Sequence, residues 1–214
     1  MYLIALISTL IIFVLSTALS VVISAAYVKK RSWNLLAWSS GLWLFAASVA
    51  LEAIFAYAIY SSQLIDLYLF LVAVLVEFLA LGSVLLVSNR NFTRAYAAYS
   101  IITDAFLVYS LASAQVGNII TSGVVFGPLP LLVIVASSLV TFPAAALLII
   151  ISALSYRERH NAGMISIIAG VVIVSIAGTL YIASFPSFLY YAEFIGILLL
   201  WIAFMYPFKK HGSA

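Results

Sequence analysis

LYLFLVAVLVEFLALGSVLLV, residues 67–87, is a run of apolar side chains broken by one charge, Glu77. A helix needs about 20 residues to cross roughly 30 Å of bilayer hydrocarbon, so this stretch reads as a transmembrane helix. Working outward from it, charges and turn residues cut the chain into seven such spans: 2–28, 33–60, 66–88, 95–115, 129–155, 163–184 and 188–208. The whole composition agrees with that reading. Of 214 residues 67% are hydrophobic and only 7% charged, with a mean hydropathy of +1.29; a soluble domain carries about 25% charged residues. The sequence therefore predicts an all-α, polytopic membrane protein, a seven-helix bundle whose first partner is the lipid bilayer. Residues 209–214 form a short polar tail. The first span has no basic n-region and is too long for the apolar core of a signal peptide, so it is read as a helix that stays in the membrane.

The cations set the orientation. Every Lys and Arg falls in Lys29-Lys30-Arg31, at Arg90 and Arg94, at Arg157 and Arg159, or at Lys209-Lys210. In a seven-span chain these four places share one face, and the connections at 61–65, 116–128 and 185–187 contain no Lys or Arg. The positive-inside rule puts that face in the cytoplasm and the N-terminus outside, in a cell membrane. The sequon Asn91-Phe92-Thr93 then lies on the cytoplasmic side, where it is a chance match. The net charge of +3 follows from these topology signals. They are too short for specific nucleic-acid binding and suit anionic headgroups instead.

Among the outer connections only 116–128 is long, Gly-rich, uncharged and still apolar. It is either a plain connector or a loop that dips into the interface or caps a cavity, since apolar groups favour that depth while free backbone groups need partners. Tyr57, Tyr60, Tyr68, Tyr181, Tyr190 and Tyr191 gather at the outer span ends, as an interfacial aromatic belt requires.

Four acids lie within the spans: Glu52 in span 2, Glu77 in span 3, Asp104 in span 4 and Glu193 in span 7. An ionised acid at mid-span costs about 2.5–3.5 kcal/mol even on lenient insertion scales. No Lys or Arg lies within a span to pair with them. Each is then protonated, hydrogen-bonded to a hydroxyl or amide, or in contact with a water-filled cavity. Helical rise places Glu77 and Asp104 near mid-depth and Glu52 and Glu193 in the outer half, with Asp66 at the outer boundary in reach of water. Ser48 precedes Glu52 by one turn and Ser100 precedes Asp104 by one turn, with Thr103 and Tyr109 nearby; Ser16, Ser20 and Ser24 form a hydroxyl stripe on span 1. Such oxygens can pass protons or hold a monovalent cation, or they can simply knit helices together through hydrogen bonds worth about 0.6–2 kcal/mol each.

Ile23–Arg31 at the end of span 1 matches Ile151–Arg159 at the end of span 5, and Leu67-Tyr68 matches Leu189-Tyr190 in spans 3 and 7. The chain thus reads as two parallel three-helix units joined by span 4, a 3+1+3 plan with a site near the midplane between repeats. That plan and the N-out, C-in orientation resemble the SWEET and PQ-loop transporters over the whole chain. The repeat and the buried acids lead to the expectation of alternating access between the two units. The Pro-Gln dipeptide is absent, and of the kinking prolines expected in spans 1 and 5 only Pro143 is present. Separately, Arg31-Ser32-Trp33 followed by Ala37-Trp38, Leu44-Phe45-Ala46-Ala47 and Glu52 resembles a pattern of uncharacterised multi-span prokaryotic proteins, which implies no activity.

Small residues mark close helix approaches: Ser166, Gly170 and Gly178 in span 6, Gly41 in span 2 and Gly82 in span 3. They serve contacts within the bundle or a partner, either a second copy or another membrane protein. Pro143 removes one backbone hydrogen bond in span 5.

The inventory also excludes chemistry. With no cysteine, thiol nucleophiles, iron–sulfur clusters and Cys-type zinc sites are ruled out. Span 7 has no lysine for a retinal Schiff base, and the two histidines, His160 and His211, lie beside basic residues outside the spans, where they cannot hold haem. No Walker or dinucleotide loop occurs, and no cofactor, metal or catalytic residue is expected. Two function classes follow: a small carrier or channel for protons, a cation or a small solute, with Glu77 and Asp104 on the path and Glu52 and Glu193 at its outer mouth, or a non-catalytic membrane subunit of a larger respiratory, secretion or surface complex.

Overall fold

The structure is a computed structural model that describes residues 2–57, 59, 61–87, 89–114, 116–117, 119–121, 124–125, 127–159, 165–166, 169–170, 173 and 186–209. Among these the chain is helical apart from one short β-ribbon. Its elements are α1 (Tyr2–Lys30), α2 (Trp33–Ala56), α3 (Ser62–Val84, extended by a 3-10 turn Leu85–Val87), α4 (Arg90–Ser113), β1 (Ile120–Thr121), β2 (Val124–Val125), α5 (Leu131–Arg159) and α6 (Pro186–Lys209). Five of them, α1 to α5, are long and apolar enough to cross a membrane, the mark of a multi-pass membrane protein. The predicted seventh span corresponds to α6. Span 6 lies outside the described residues except for fragments, as do Gly178, Tyr60, Tyr181, His160, Lys210 and His211.

Helix ends follow capping rather than charge. Charge and polarity alone predict spans 33–60, 66–88 and 95–115. Yet α2 stops at Ala56, where the Tyr57 amide turns back onto the Ile54 carbonyl (3.1 Å). Ser61 then caps α3, its Oγ accepting from the Leu64 amide (3.3 Å). Asp66 therefore sits inside α3, one turn past its start. Asn89 caps α4 in the same way, with Oδ1 accepting from the Phe92 amide (3.1 Å), so Arg90 and Arg94 join the helix as exposed residues of its first turns. Between α1 and α2 the chain reverses at Arg31, whose φ of 49° is left-handed and whose amide bonds the Tyr27 carbonyl (2.7 Å).

The helices pack as α6, α1, α2, α3, α5 in sequence around the bundle, with α4 closing against α3 and α5. Two pairings show how. The Trp38 indole of α2 donates to the Leu79 carbonyl of α3 (3.1 Å) and meets Phe204 of α6 edge-on at 5.0 Å. Trp201 of α6 donates to the Leu15 carbonyl of α1 (3.0 Å). Gly41 and Gly82 serve this interior: a Cβ on Gly41 would lie 3.1 Å from the Leu75 carbonyl, and one on Gly82 would lie 2.2 Å from the Trp38 ring. Both glycines therefore mark contacts within the chain.

The core divides into two apolar clusters. One, toward the basic helix ends, contains Leu19, Leu42, Val84, Tyr96, Leu148 and Phe204. The other, toward the uncharged ends, contains Phe55, Ile65, Leu107, Ile119, Val133 and Val140. On α4 the polar residues Ser100, Thr103 and Asp104 fall between Tyr96 of the first cluster and Leu107 of the second. The outward side chains are apolar, as a hydrocarbon solvent demands: Ile101, Ile102, Leu131 and Phe142 are each about 70% exposed or more.

The connection between α4 and α5 folds back as a hairpin, with Ile120 opposite Val125 and Thr121 opposite Val124. Its Val116, Ile119 and Ile120 are buried in the second cluster, and β2 touches α2. Of the two roles open to this segment, the structure supports a cap over the uncharged end of the bundle.

Helix α5 continues through Pro143. The proline has no amide hydrogen, so the carbonyl four residues earlier, Leu139, loses its helical donor. Tyr99 of α4 supplies the replacement, its hydroxyl donating to that carbonyl at 2.7 Å. Y99F is expected to cost about 1 kcal/mol of stability. In a P143A background, where the amide returns, the same substitution should cost measurably less; equal costs in a detergent-unfolding double-mutant cycle would refute the compensation.

Candidate functional site

The four acids that the sequence reading places within spans come together as two pairs. Glu52, 2% exposed near the end of α2, receives the Tyr68 hydroxyl of α3 on Oε1 at 2.7 Å. Glu193 of α6 is also buried and faces Glu52, yet the Oε2 atoms of both acids make no hydrogen bond. Tyr68 and Phe55 stack edge-on at 5.8 Å, and the hairpin residues Val116, Ile119 and Ile120 belong to the same cluster. Among the described residues, packed apolar groups cover the pair toward the uncharged end.

The second pair lies deeper. Glu77 of α3, 5% exposed, faces Ser100 and Asp104 of α4, with Tyr96 and Tyr99 around it. Glu77 lies within hydrogen-bonding reach of Ser100 and Asp104, and Tyr96 within reach of Ser100, but none of these contacts has the geometry of a completed hydrogen bond. Both oxygens of Glu77, Oδ1 of Asp104, Oγ of Ser100 and the Tyr96 hydroxyl are buried and unpaired. Counting helical rise from Val87 and Arg90 puts Glu77 about 15 Å and Asp104 about 21 Å from the basic ends of their helices, near mid-depth. Asp104 itself is only partly buried, so the cluster has an open side there.

The predicted hydroxyls divide. Only Ser100 joins the site, and it faces Glu77 as well as lying one turn from Asp104. Ser48 donates instead to the Phe45 carbonyl (2.8 Å), because a serine inside a helix reaches its own backbone more easily than a carboxyl one turn on. The stripe on α1 behaves likewise: Ser16 donates to Phe13, Ser20 to Ser16 and Ser24 to Ser20 carbonyls. Ser24 also pairs with Ser39 of α2 at 2.6 Å and receives the Trp43 indole, so this stripe knits α1 to α2. Thr103 bonds the Tyr99 and Ser100 carbonyls, and Tyr109 points outward, 63% exposed.

Two findings differ from the sequence reading. Tyr68, grouped with the interfacial tyrosines, is 5% exposed and holds Glu52, whereas Tyr57 and Tyr191 are 66% and 63% exposed. The signal was its depth: Glu52 and Tyr68 sit about 6 and 9 Å from either side of the same short turn. Tyr96, which the sequence reading passed over, points its hydroxyl into the Glu77 cluster. Asp66, partly buried, lines an open groove of about 290 Å³ with Leu67, Phe70, Val108, Leu111 and Ala112, and its Oδ1 is buried and unpaired.

Y68F is expected to lower stability by about 1–2 kcal/mol, since a buried carboxyl oxygen loses its donor. Unfolding of Y68F, E52Q and the double variant in a detergent series checks it; additive costs would show that the two groups do not interact. Among the described residues no group of three or more His, Cys, Asp and Glu stands ready to hold a metal. In comparisons with known proteins the chain matches no family model, no curated protein and no solved structure.

Proposed function

We propose that the protein is a small carrier or channel whose buried carboxyl pairs load and release protons, moving them alone or linked to a cation or small solute. The single observation that carries this reading is Glu77: both its oxygens are buried without a completed hydrogen bond while the side chain faces a second acid, Asp104, within reach of sharing a proton. Helix glue would leave those oxygens satisfied, because each unmade bond in a buried site forgoes stabilisation and keeps the desolvation cost. Two ionised carboxylates in contact, with no Lys, Arg or His within a span, are too costly, so each pair holds at least one proton. A proton shared between two acids with no stronger fixed partner is what a relay requires.

In this reading the chain makes seven spans in a cell membrane, with the N-terminus outside and the basic helix ends in the cytoplasm. Glu52 and Glu193 stand on the outer side under the hairpin, and Glu77 and Asp104 at mid-depth. The two three-helix units of a 3+1+3 plan supply the moving parts. The test is proton flux in proteoliposomes carrying an internal pH dye under an imposed pH gradient. Flux well above that of empty vesicles is expected. Flux equal to theirs would defeat the proposal and favour the alternative, a non-catalytic subunit of a membrane complex.

A further inference from the structure

The unpaired atoms at mid-depth have more in common than the absence of a bond. Glu77 Oε1 and Oε2, Asp104 Oδ1, Ser100 Oγ and Tyr96 OH are all oxygens, all buried, and drawn from two facing helices. Acids alone would prove little, since two carboxyls can share a proton. Tyr96 is the independent observation: it is a neutral side chain, 6% exposed, whose buried hydroxyl stands beside Ser100, Glu77 and Asp104 and completes no hydrogen bond of good geometry with any of them. Its neighbour Tyr99 stacks on it at 6.5 Å and uses its own hydroxyl on Leu139, so the second ring fixes the first without satisfying it.

We infer that Glu77, Asp104, Ser100 and Tyr96 form a binding site for one monovalent metal cation of the Na⁺ class, which enters in exchange for one proton. Hard cations take oxygen ligands, and a carboxylate, a hydroxyl and a phenol supply only oxygens. The charge balances on both sides of the exchange. With two protons on the two acids the cluster is neutral; with one proton and one Na⁺ it is neutral again. A divalent ion would require both acids to ionise at once and favours fields of about six to eight oxygens. The surroundings add no competing charge: α5 carries no titratable residue between Leu131 and Ser155, and α2 brings only Glu52, near its far end. From α3 and α4 the titratable groups facing the site are Glu77, Tyr96, Tyr99 and Asp104. The inference rests on the transport reading for its purpose, and it names the coupling ion; the binding itself is separately measurable.

The experiment is thermal unfolding of the purified full chain in mild detergent, titrated with NaCl against choline chloride at constant ionic strength and at several pH values. Na⁺ should raise the unfolding midpoint and choline should not. While the extra proton is bound, the half-effective Na⁺ concentration should rise about tenfold for each unit fall in pH. S100A and Y96F, which retain both acids, should each raise it by about tenfold, and E77Q should abolish the response. Equal effects of Na⁺ and choline, a Na⁺ response that survives E77Q/D104N, or stabilisation by Ca²⁺ or Mg²⁺ alone would overturn the inference. Proton flux in liposomes indifferent to Na⁺ would overturn it and leave the transport reading standing. Na⁺ binding in a protein that moves no protons would do the reverse.

Discussion

Replacing Glu77 with Gln and Asp104 with Asn together is expected to lower proton flux in proteoliposomes at least about 100-fold, a barrier increase of roughly 2.7 kcal/mol. The amides keep the volume and hydrogen-bonding capacity of the acids, so helix packing is preserved while the ability to hold a transferable proton is lost. The neutral variants also no longer bear the cost of acid groups in a low-dielectric span, so their folded yield should equal or exceed that of the wild type. This separates function from glue. If the carboxyls were structural, the double variant would change stability and leave flux untouched. Flux within twofold of wild type would remove Glu77 and Asp104 from the path.

The largest effect on stability is expected at Gly82. A methyl group there would sit 2.2 Å from Cδ1 and 2.5 Å from Nε1 of Trp38, well inside contact distance. A free indole would swing aside. This one is held by its hydrogen bond to the Leu79 carbonyl and by the Phe204 ring across the α2–α6 contact. G82A must therefore either move α3 away from α2 or break both attachments, at a cost of about 2–4 kcal/mol from overpacking and the lost bond. G82L should prevent stable folding. The check is unfolding in a denaturing detergent series, with W38L added to G82A; recovery of at least half the loss is expected. No recovery would mean that Trp38 is not what Gly82 accommodates.

What the sequence made legible depended on how far each signal reaches. Apolar run length is a property of the chain alone, and it located α1 to α5. Span ends were less legible because charge was read as a boundary: Asp66, Arg90 and Arg94 all fall within helices, while the true stops are the caps Ser61 and Asn89, whose side chains bond only three residues ahead. Depth arithmetic brought Glu77 to the level of Asp104 and Glu52 to that of Glu193, and depth is half of proximity. The other half, which helix faces which, is not written in any local pattern. For that reason Ser48, correctly placed on its helix face, was offered to Glu52 although its own backbone takes it, while the α1 serines fill the other role left open to them and join α1 to α2. For the same reason Tyr68 was assigned to the interfacial belt and Tyr96 was given no role.

Proline and tyrosine make the same point in reverse. Pro143 announces an orphan carbonyl at Leu139, and the sequence fixes that much by geometry. That Tyr99 fills it follows only from the packing of α4 on α5. The bond also ties the compensation for Pro143 to the ring that buttresses Tyr96. Damage at Pro143 and damage at the acid cluster are thereby coupled through one side chain.

The central claim is that the buried carboxyls are exchangeable proton sites and not fixed struts between helices. Infrared spectroscopy of the reconstituted protein addresses it most directly, by following the C=O stretch of protonated carboxyls on transfer from H₂O to D₂O. The account predicts a band that E77Q/D104N removes and that shifts to its deuterated position on the timescale of proton flux. A band assigned to the same two residues that stays unshifted while flux proceeds would contradict it.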